Sequence, residues 1–250
     1  MREAWILALQ HILELQNLEK SFGAIKVADQ LSYALAPGEA LGIIGPNGAG
    51  KTTMFDLITG ALSPSGGAVI FQGQDITALS AAKRSKSGIA RSFQVPQPFS
   101  GMSVFENTLV AATSAGGMPI KQANTHCLEV LEQVGLIAKA NLKAGKLTLL
   151  ERKKLELARA LAAKPKLLLL DEIAGGLTEQ ECNSLVATVR NVHATGLSII
   201  WIEHVVHALM KVVDRIVVLD FGNKIADGKP EAVMADPKVR EIYMGIEADV

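Results

Sequence analysis

Cysteine is nearly absent from this sequence: Cys127 and Cys182 stand far apart and without CxxC spacing. That excludes a disulfide framework or a thiolate zinc site and fits a reducing compartment, where both read as ordinary buried thiols. Net charge is absent as well, because 25 basic residues balance 25 acidic ones. No global field then draws the chain to nucleic acid or to an anionic membrane surface; nucleic acid is not an expected partner, and recognition rests on local shape. Long apolar runs are missing too. The greasiest stretches are interrupted by Asp171, Glu172, Glu203 or Lys211, short of the roughly 18 uncharged residues a membrane-spanning helix requires. Residues 1–15 carry Arg2, Glu3, His11 and Glu14 with no small-residue cleavage site after them, so they read as a short lead into the first strand and not as a signal. No internal repeat or low-complexity tract is evident.

What remains is a chain of 250 residues with 49% apolar content, enough to bury a core in one large domain or two small ones. Residues 12–21 and 31–35 alternate or cluster apolar side chains between turn formers, as strands of an antiparallel layer do. Residues 40–44 form a short apolar strand, a glycine-rich loop follows, and residues 52–58 take helical spacing until Gly60. Strand patterns return at 68–72 and 88–94, and helical ones at 104–112, 122–134 and 155–163. Four consecutive leucines, Leu167 to Leu170, suit a central parallel strand covered on both faces, and residues 197–202 suit a second. The spacing then predicts helix over 205–213, a hairpin over 215–226 around Phe221-Gly222-Asn223, and helix over 230–244.

The loop reads Gly45-Pro46-Asn47-Gly48-Ala49-Gly50-Lys51-Thr52-Thr53. In the pattern GxxxxGKS/T the glycines let backbone N–H groups wrap a phosphate, the lysine reaches the outer phosphates and the hydroxyl ligates magnesium. Gly45, Gly50, Lys51 and Thr52 take those places, between a strand and a helix. Hydrolysis needs more, because the metal wants a second anchor and water a positioned base. Asp171, at the end of the leucine strand, is placed to hold the magnesium shell, and Glu172 to polarise the attacking water. Two carboxylates at a strand end can also simply cap the next element; beside this loop, the catalytic role is the better fit. His204 follows a second apolar strand, which delivers it to the same sheet edge for a γ-phosphate contact, as neutral or charged imidazole. Gln94 also ends a strand, and its amide can reach metal or water.

With these residues in place, the chain resembles the ATP-binding subunit of an ABC transporter, over nearly its whole length and most closely at the loop, at Leu167 to Glu172 and at Ile202-Glu203-His204. The resemblance implies a P-loop α/β fold with a RecA-like parallel core, an antiparallel β layer and a helical subdomain. One domain over 1–250 is implied, with 1–94 and 161–250 as the catalytic lobe and 95–160 as the helical one. It implies ATP and Mg²⁺ as cofactors, with Thr52, Gln94 and Asp171 at the metal and Glu172, His204 and Gln94 as catalytic residues. Phe22, in Lys-Ser-Phe-Gly, takes the place of the aromatic that stacks on adenine. Arg91-Ser92-Phe93-Gln94 resembles the segment that reports from the metal site to the membrane subunit. The stretches 42–60 and 92–107 and the ending Glu241-Ile242-Tyr243-Met244-Gly245 look most like the branch that serves branched-chain amino acid uptake, although the stretch from 111 to 146 is compact for it.

Implied partners are a second, similar ATPase subunit in a homodimer or heterodimer, integral membrane permease subunits and a substrate-binding protein. The implied location is the inner face of the cell membrane, peripheral and cytoplasmic. The sequence departs from the family at the signature, usually Leu-Ser-Gly-Gly-Gln, where it has Leu147-Thr148-Leu149-Leu150-Glu151. Thr148 keeps a hydroxyl for a partner's γ-phosphate, whereas the leucines add bulk and Glu151 is expected to place negative charge near that anion. Ile173 replaces the usual proline after Glu172, and Ala174-Gly175-Gly176-Leu177-Thr178 replaces a loop that often ends in Asp or Asn. Competing readings are a lipid or lipopolysaccharide export ATPase, a soluble ABC ATPase acting on DNA or ribosomes, and a scaffold that holds ATP without hydrolysing it.

Overall fold

A computed structural model describes residues 11–244; the lead-in up to Gln10, the terminal Gly245 and the outermost ends of the 1–250 domain lie outside them. Two sheets organise the chain. The first is antiparallel, in the order β2-β1-β4-β5, from β1 (Leu13–Phe22), β2 (Ile25–Leu35), β4 (Gly66–Phe71) and β5 (Gln74–Asp75). The second has the order β10-β9-β3-β8-β7-β6, from β3 (Ala40–Ile44), β6 (Ile89–Ser92), β7 (Leu167–Asp171), β8 (Ser198–Ile202), β9 (Arg215–Asp220) and β10 (Asn223–Gly228). Its strands run parallel except β10, which turns back along β9.

The leucine run shows why the central strands carry no polar alternation. Leu167 and Leu169 enter one apolar cluster with Leu41, Ile43, Ile200 and Ile202, beneath the antiparallel sheet. Leu168 and Leu170 enter another with Ile44, Ile199 and Trp201. Successive side chains of a strand point to opposite faces, and here both faces are covered, so every position is apolar.

The helices are α1 (Lys51–Thr59), α2 (Ala81–Ser87), α3 (Val104–Ser114), α4 (Ile120–Gln133), α5 (Leu149–Ala162), α6 (Glu179–His193), α7 (Val206–Leu209), α8 (Pro230–Ala235) and α9 (Pro237–Met244). Helices α3, α4 and α5 close on small side chains, Ala112, Ala123, Cys127 and Ala162, which permit near approach of their backbones. The inner faces of α5 and α6 share the cluster that holds Leu168 and Leu170.

Several boundaries differ from those the sequence suggests. Helix α5 starts at Leu149, six residues before the apolar spacing becomes helical, because Thr148 and Glu151 form a capping box. The helix expected over 205–213 shrinks to the single turn of α7. Four valines, at 205, 206, 212 and 213, disfavour a longer one, and Asp214 is tied into the sheet, its carboxylate accepting from the Ala40 N–H at 2.8 Å. The helix expected over 230–244 breaks in two at Asp236, extended (ψ 124°) ahead of Pro237. The polar α2 has no apolar periodicity and was legible in no pattern.

Helix α2 exists to deliver Arg84. This guanidinium is buried and donates to the carbonyls of Leu57 at 2.6 Å and Ile58 at 3.0 Å, at the end of α1, and of Thr77 at 2.8 Å and Leu79 at 3.0 Å. It thereby closes helix carbonyls that have no partner within α1. Arg84→Met should strand these acceptors in the interior and lower stability by about 3 kcal/mol. Urea unfolding checks this, and an unchanged midpoint would mean that water replaces the guanidinium at no cost.

Candidate nucleotide site

The register of the parallel sheet assembles the site. Ile202 of β8 stands opposite Ile43 of β3 and Asp171 of β7, and Ser92 of β6 stands opposite Leu170. The segments after β3, β6, β7 and β8 therefore leave one edge together, carrying the glycine-rich loop, Gln94, Glu172 and His204.

The loop can close only with its two motif glycines. A Cβ on Gly45 (φ 153°) would lie 2.1 Å from the Leu219 carbonyl oxygen, and one on Gly50 (φ 96°) 2.2 Å from that of Val27. Any side chain there would push the loop off β9 and β2. Gly50 caps α1 in a left-handed conformation with no side-chain bond and no acid in the first turn. By contrast α3, α5 and α6 all begin with capping boxes, Ser103 with Glu106, Thr148 with Glu151 and Thr178 with Glu181. The start of α1 is left with its N–H groups unsatisfied by side chains, which suits an incoming anion. A cavity there is lined by Val27, Asn47, Gly48, Ala49, Gly50, Lys51, Thr52, Thr53 and Glu172. The buried Lys51 ammonium donates back to the carbonyls of Gly45 at 2.7 Å and Pro46 at 2.9 Å. Burial draws it below its ordinary value, while Glu172 and Asp171 pull the other way.

Glu172 is the centre of the polar edge. Its left-handed backbone (φ 46°) is uncommon for a residue with a side chain, and its N–H donates to Ile202 O at 2.8 Å. Its carboxylate accepts from Gln94 Nε2 at 2.5 Å on one oxygen and from His204 Nε2 at 2.8 Å on the other. Three residues named separately from the sequence thus meet on one carboxylate, which is held in a single orientation with lone pairs left for a water.

Asp171 is buried, and its environment was not foreseen. Burial pushes its carboxyl up, and the Arg91 guanidinium opposes the shift. Arg91 donates to Asp171 Oδ2 at 2.5 Å and to Asp56 Oδ1 at 2.6 Å, and lies over the rings of Phe55 and Phe93 at 5.4 and 5.1 Å. The available signal was a lone cation in a short strand paired to the wholly buried leucine strand, a place that demands a countercharge. Asp171, Thr52 and Gln94 line one cleft of about 520 Å³ together with Arg91 and Phe93. A hydroxyl, a carboxylate and an amide are the hard oxygen donors that magnesium takes, so these residues fit that ion.

Two other groups lie elsewhere. Phe22 ends β1, is 50% exposed and carries the Lys20 ammonium 5.4 Å from its ring centroid; it is not among the residues lining the phosphate cavity. Val27, on the strand that leaves the same hairpin, does line it. Thr148 and Glu151 sit on the helical layer, where the negative charge expected of Glu151 has partners that the sequence reading did not foresee. Its carboxylate turns back onto its own helix, accepting from the Thr148 N–H at 3.0 Å, and pairs with Lys139. Burial pushes Glu151 up, but Lys139 and Thr148 hold it below the usual carboxylate value. The carboxylate stays ionised and is shared between the cap and Lys139.

Comparison with known proteins gives the chain's family. A family model described as ABC transporter matches residues 28–175, and one described as branched-chain amino acid ATP-binding cassette transporter matches residues 223–249. The high-affinity branched-chain amino acid transport ATP-binding protein LivG of Escherichia coli (strain K12) is 34% identical over 253 residues, spanning 94% of this chain and 98% of LivG. The lipopolysaccharide export system ATP-binding protein LptB of Acidithiobacillus ferridurans is 32% identical, spanning 95% and 98%. A crystal structure of an ATP-binding cassette of an ABC transporter in its ADP conformation has a TM-score of 0.86 and 33% identity, spanning 94% of this chain and 99% of that one.

Removing one partner of a buried ion pair leaves the other uncompensated, which costs more than the pair contributes. Arg91→Met should therefore destabilise the protein by about 3 kcal/mol, and adding Asp171→Asn should recover part of that loss. Chemical denaturation of both variants checks it; a double variant no more stable than Arg91→Met would mean that packing on Phe55 and Phe93, not charge, is what Arg91 supplies.

Proposed function

The chain belongs to the ABC transporter family as an ATP-binding, ATP-hydrolysing cassette, and from that membership we propose that it powers the uptake of branched-chain amino acids through a membrane permease. The observation that carries the substrate class is the match of residues 223–249 to the branched-chain family. Overall identity does not choose, since LivG and LptB lie only two points apart.

The reading divides the chain into a catalytic lobe, residues 1–94 and 161–250, and a helical lobe, residues 95–160, that faces the permease. The loop from Gly45 to Thr53 wraps the phosphates with backbone N–H groups, and Lys51 turns from its own carbonyls to the outer phosphates. Thr52, Asp171 and Gln94 would hold Mg²⁺, which would supply neutralisation of charge on the phosphate oxygens. Glu172 accepts a proton from the attacking water as its oxygen bonds to the γ-phosphorus. The bond to the β-phosphate oxygen breaks, and ADP leaves with the electron pair. His204 fixes the carboxylate by its 2.8 Å bond and stands ready for the γ-phosphate. Phe22 supports the adenine at the hairpin edge. A second, similar subunit, permease subunits and a substrate-binding protein complete the assembly, with Thr148 at the first of these contacts. That assembly places the chain peripherally on the cytoplasmic face of the membrane; no helix among the described residues is long and apolar enough to cross one.

Glu172→Gln should retain ATP and Mg²⁺ while turnover falls at least about a hundredfold, because an amide preserves the shape but accepts no proton. Equilibrium binding and phosphate release measure the two separately, and turnover at the parental rate would move the base elsewhere. The substrate class is tested by reconstituting the subunit with its copurified permease in vesicles and following ATP-dependent entry of labelled leucine, isoleucine and valine. Entry of none of these, with ATP still consumed, would remove the branched-chain assignment and leave the ATPase intact.

A further inference from the structure

Beside the site lies a buried acid that the reaction as described does not use. Glu203 is 1% exposed. One of its oxygens accepts from the Ala174 N–H at 2.7 Å, in the turn that follows Glu172, and the other from the His204 N–H at 3.2 Å. It thus ties the chain leaving β7 to the chain leaving β8, just where each presents one member of the Glu172–His204 pair. Glu172 is held in an uncommon left-handed backbone, and such a conformation persists only where neighbouring contacts over-determine it. The Ala174 bond is one of those contacts.

We propose that Glu203 is a positioning residue for hydrolysis: its ionised carboxylate clamps the turn after Glu172 to the backbone of His204, and turnover slows when that charge is lost. This deepens the assignment of Glu172 as base and rests on it.

The charge is finely held. Burial pushes the Glu203 carboxyl up to about 7, Glu172 adds to the rise, and the N–H groups of Ala174 and His204 and the Lys153 ammonium pull it down. Lys153 comes from α5, is itself buried, and lies 3.5 Å from the Gln94 carbonyl. Cys182 of α6 senses the same carboxylate, so the groups facing Glu203 are Glu172, His204, Lys153 and Cys182. A carboxyl raised on folding contributes stability in acid that is lost as pH rises through its folded value. The two effects run in opposite directions: the ionised form that clamps the turn is the form that burial disfavours.

Rates of ATP hydrolysis by the purified subunit, taken from about pH 6 to pH 9, separate the possibilities. The parent should show kcat rising with pH through about 7. Glu203→Gln, which cannot accept at both positions, should lower the alkaline plateau of kcat about tenfold, leave KM for ATP within about twofold, and lose the rise. A Glu203→Gln profile that superposes on the parent's overturns the proposal, and so does a rise that persists in the variant, since another group then carries it. Should the variant fail to fold, the parent alone decides: a kcat flat through this range overturns it. A parent that binds no ATP overturns instead the reading on which it rests.

Discussion

Ile202 stands opposite Ile43 on one side and Asp171 on the other, and that shared rung decides where the glycine-rich loop, Glu172 and His204 emerge. Parallel strands hold their carboxyl ends level only if the register is kept, and a slip of one residue would turn every side chain to the opposite face. Here a slip would carry Leu167 and Leu169 from the cluster under the antiparallel sheet to the one under α5 and α6. Two fully apolar faces thus protect a polar edge, and the Gln94–Glu172–His204 contact inherits its geometry from packing some distance away.

Charge is distributed on the same plan. The chain as a whole is neutral, yet Lys51, Arg91, Asp171, Glu203 and Lys153 lie in or around the residues that carry Glu172 and Gln94. Burying any of them alone costs several kcal/mol, so each is paired or bonded to backbone: Lys51 to loop carbonyls, Arg91 to two aspartates, Glu203 to two N–H groups. These are groups whose partners an anionic ligand or a cation can exchange, which is what an enzyme site requires and a purely structural core does not. Arg84 shows the contrast, since its four carbonyl partners, two at the end of α1 and two in the segment that leads into its own helix, serve the fold alone.

Helix starts carry a parallel distinction. Three are sealed by capping boxes; α1, α2, α4, α7 and α8 are not, and of these α1 is the one that opens on the glycine-rich loop. The seal at Thr148 and Glu151 bears on the altered signature: the Glu151 carboxylate is tied to Lys139 and to the Thr148 N–H, while the Leu149 side chain is left exposed.

Much was legible in the chain itself. The glycines at 45 and 50, the leucine strand ending in two acids and the apolar strand delivering His204 each announce their place, because close approach, double-faced burial and strand-end position impose narrow residue choices. The Thr148-x-x-Glu151 spacing was also present as a capping signal, although its charge was assigned outward and not to its own helix. Other features were hidden. Arg91 pairs with acids at positions 56 and 171, Arg84 reaches back to the carbonyls of Leu57 and Ile58 at the end of α1, and Glu203 accepts from Ala174 as well as from its neighbour His204. The decisive partners lie roughly 27 to 80 residues away, and no local periodicity encodes which buried charge meets which. By itself the sequence determined most of the elements and the chemistry carried at the strand ends, since propensity, patterning and motif spacing act over a few residues. The pairing of buried charges, the bracketing of Glu172 and the halt of the helix after Val205 were decided only when the sheet register brought those distant residues within hydrogen-bonding reach.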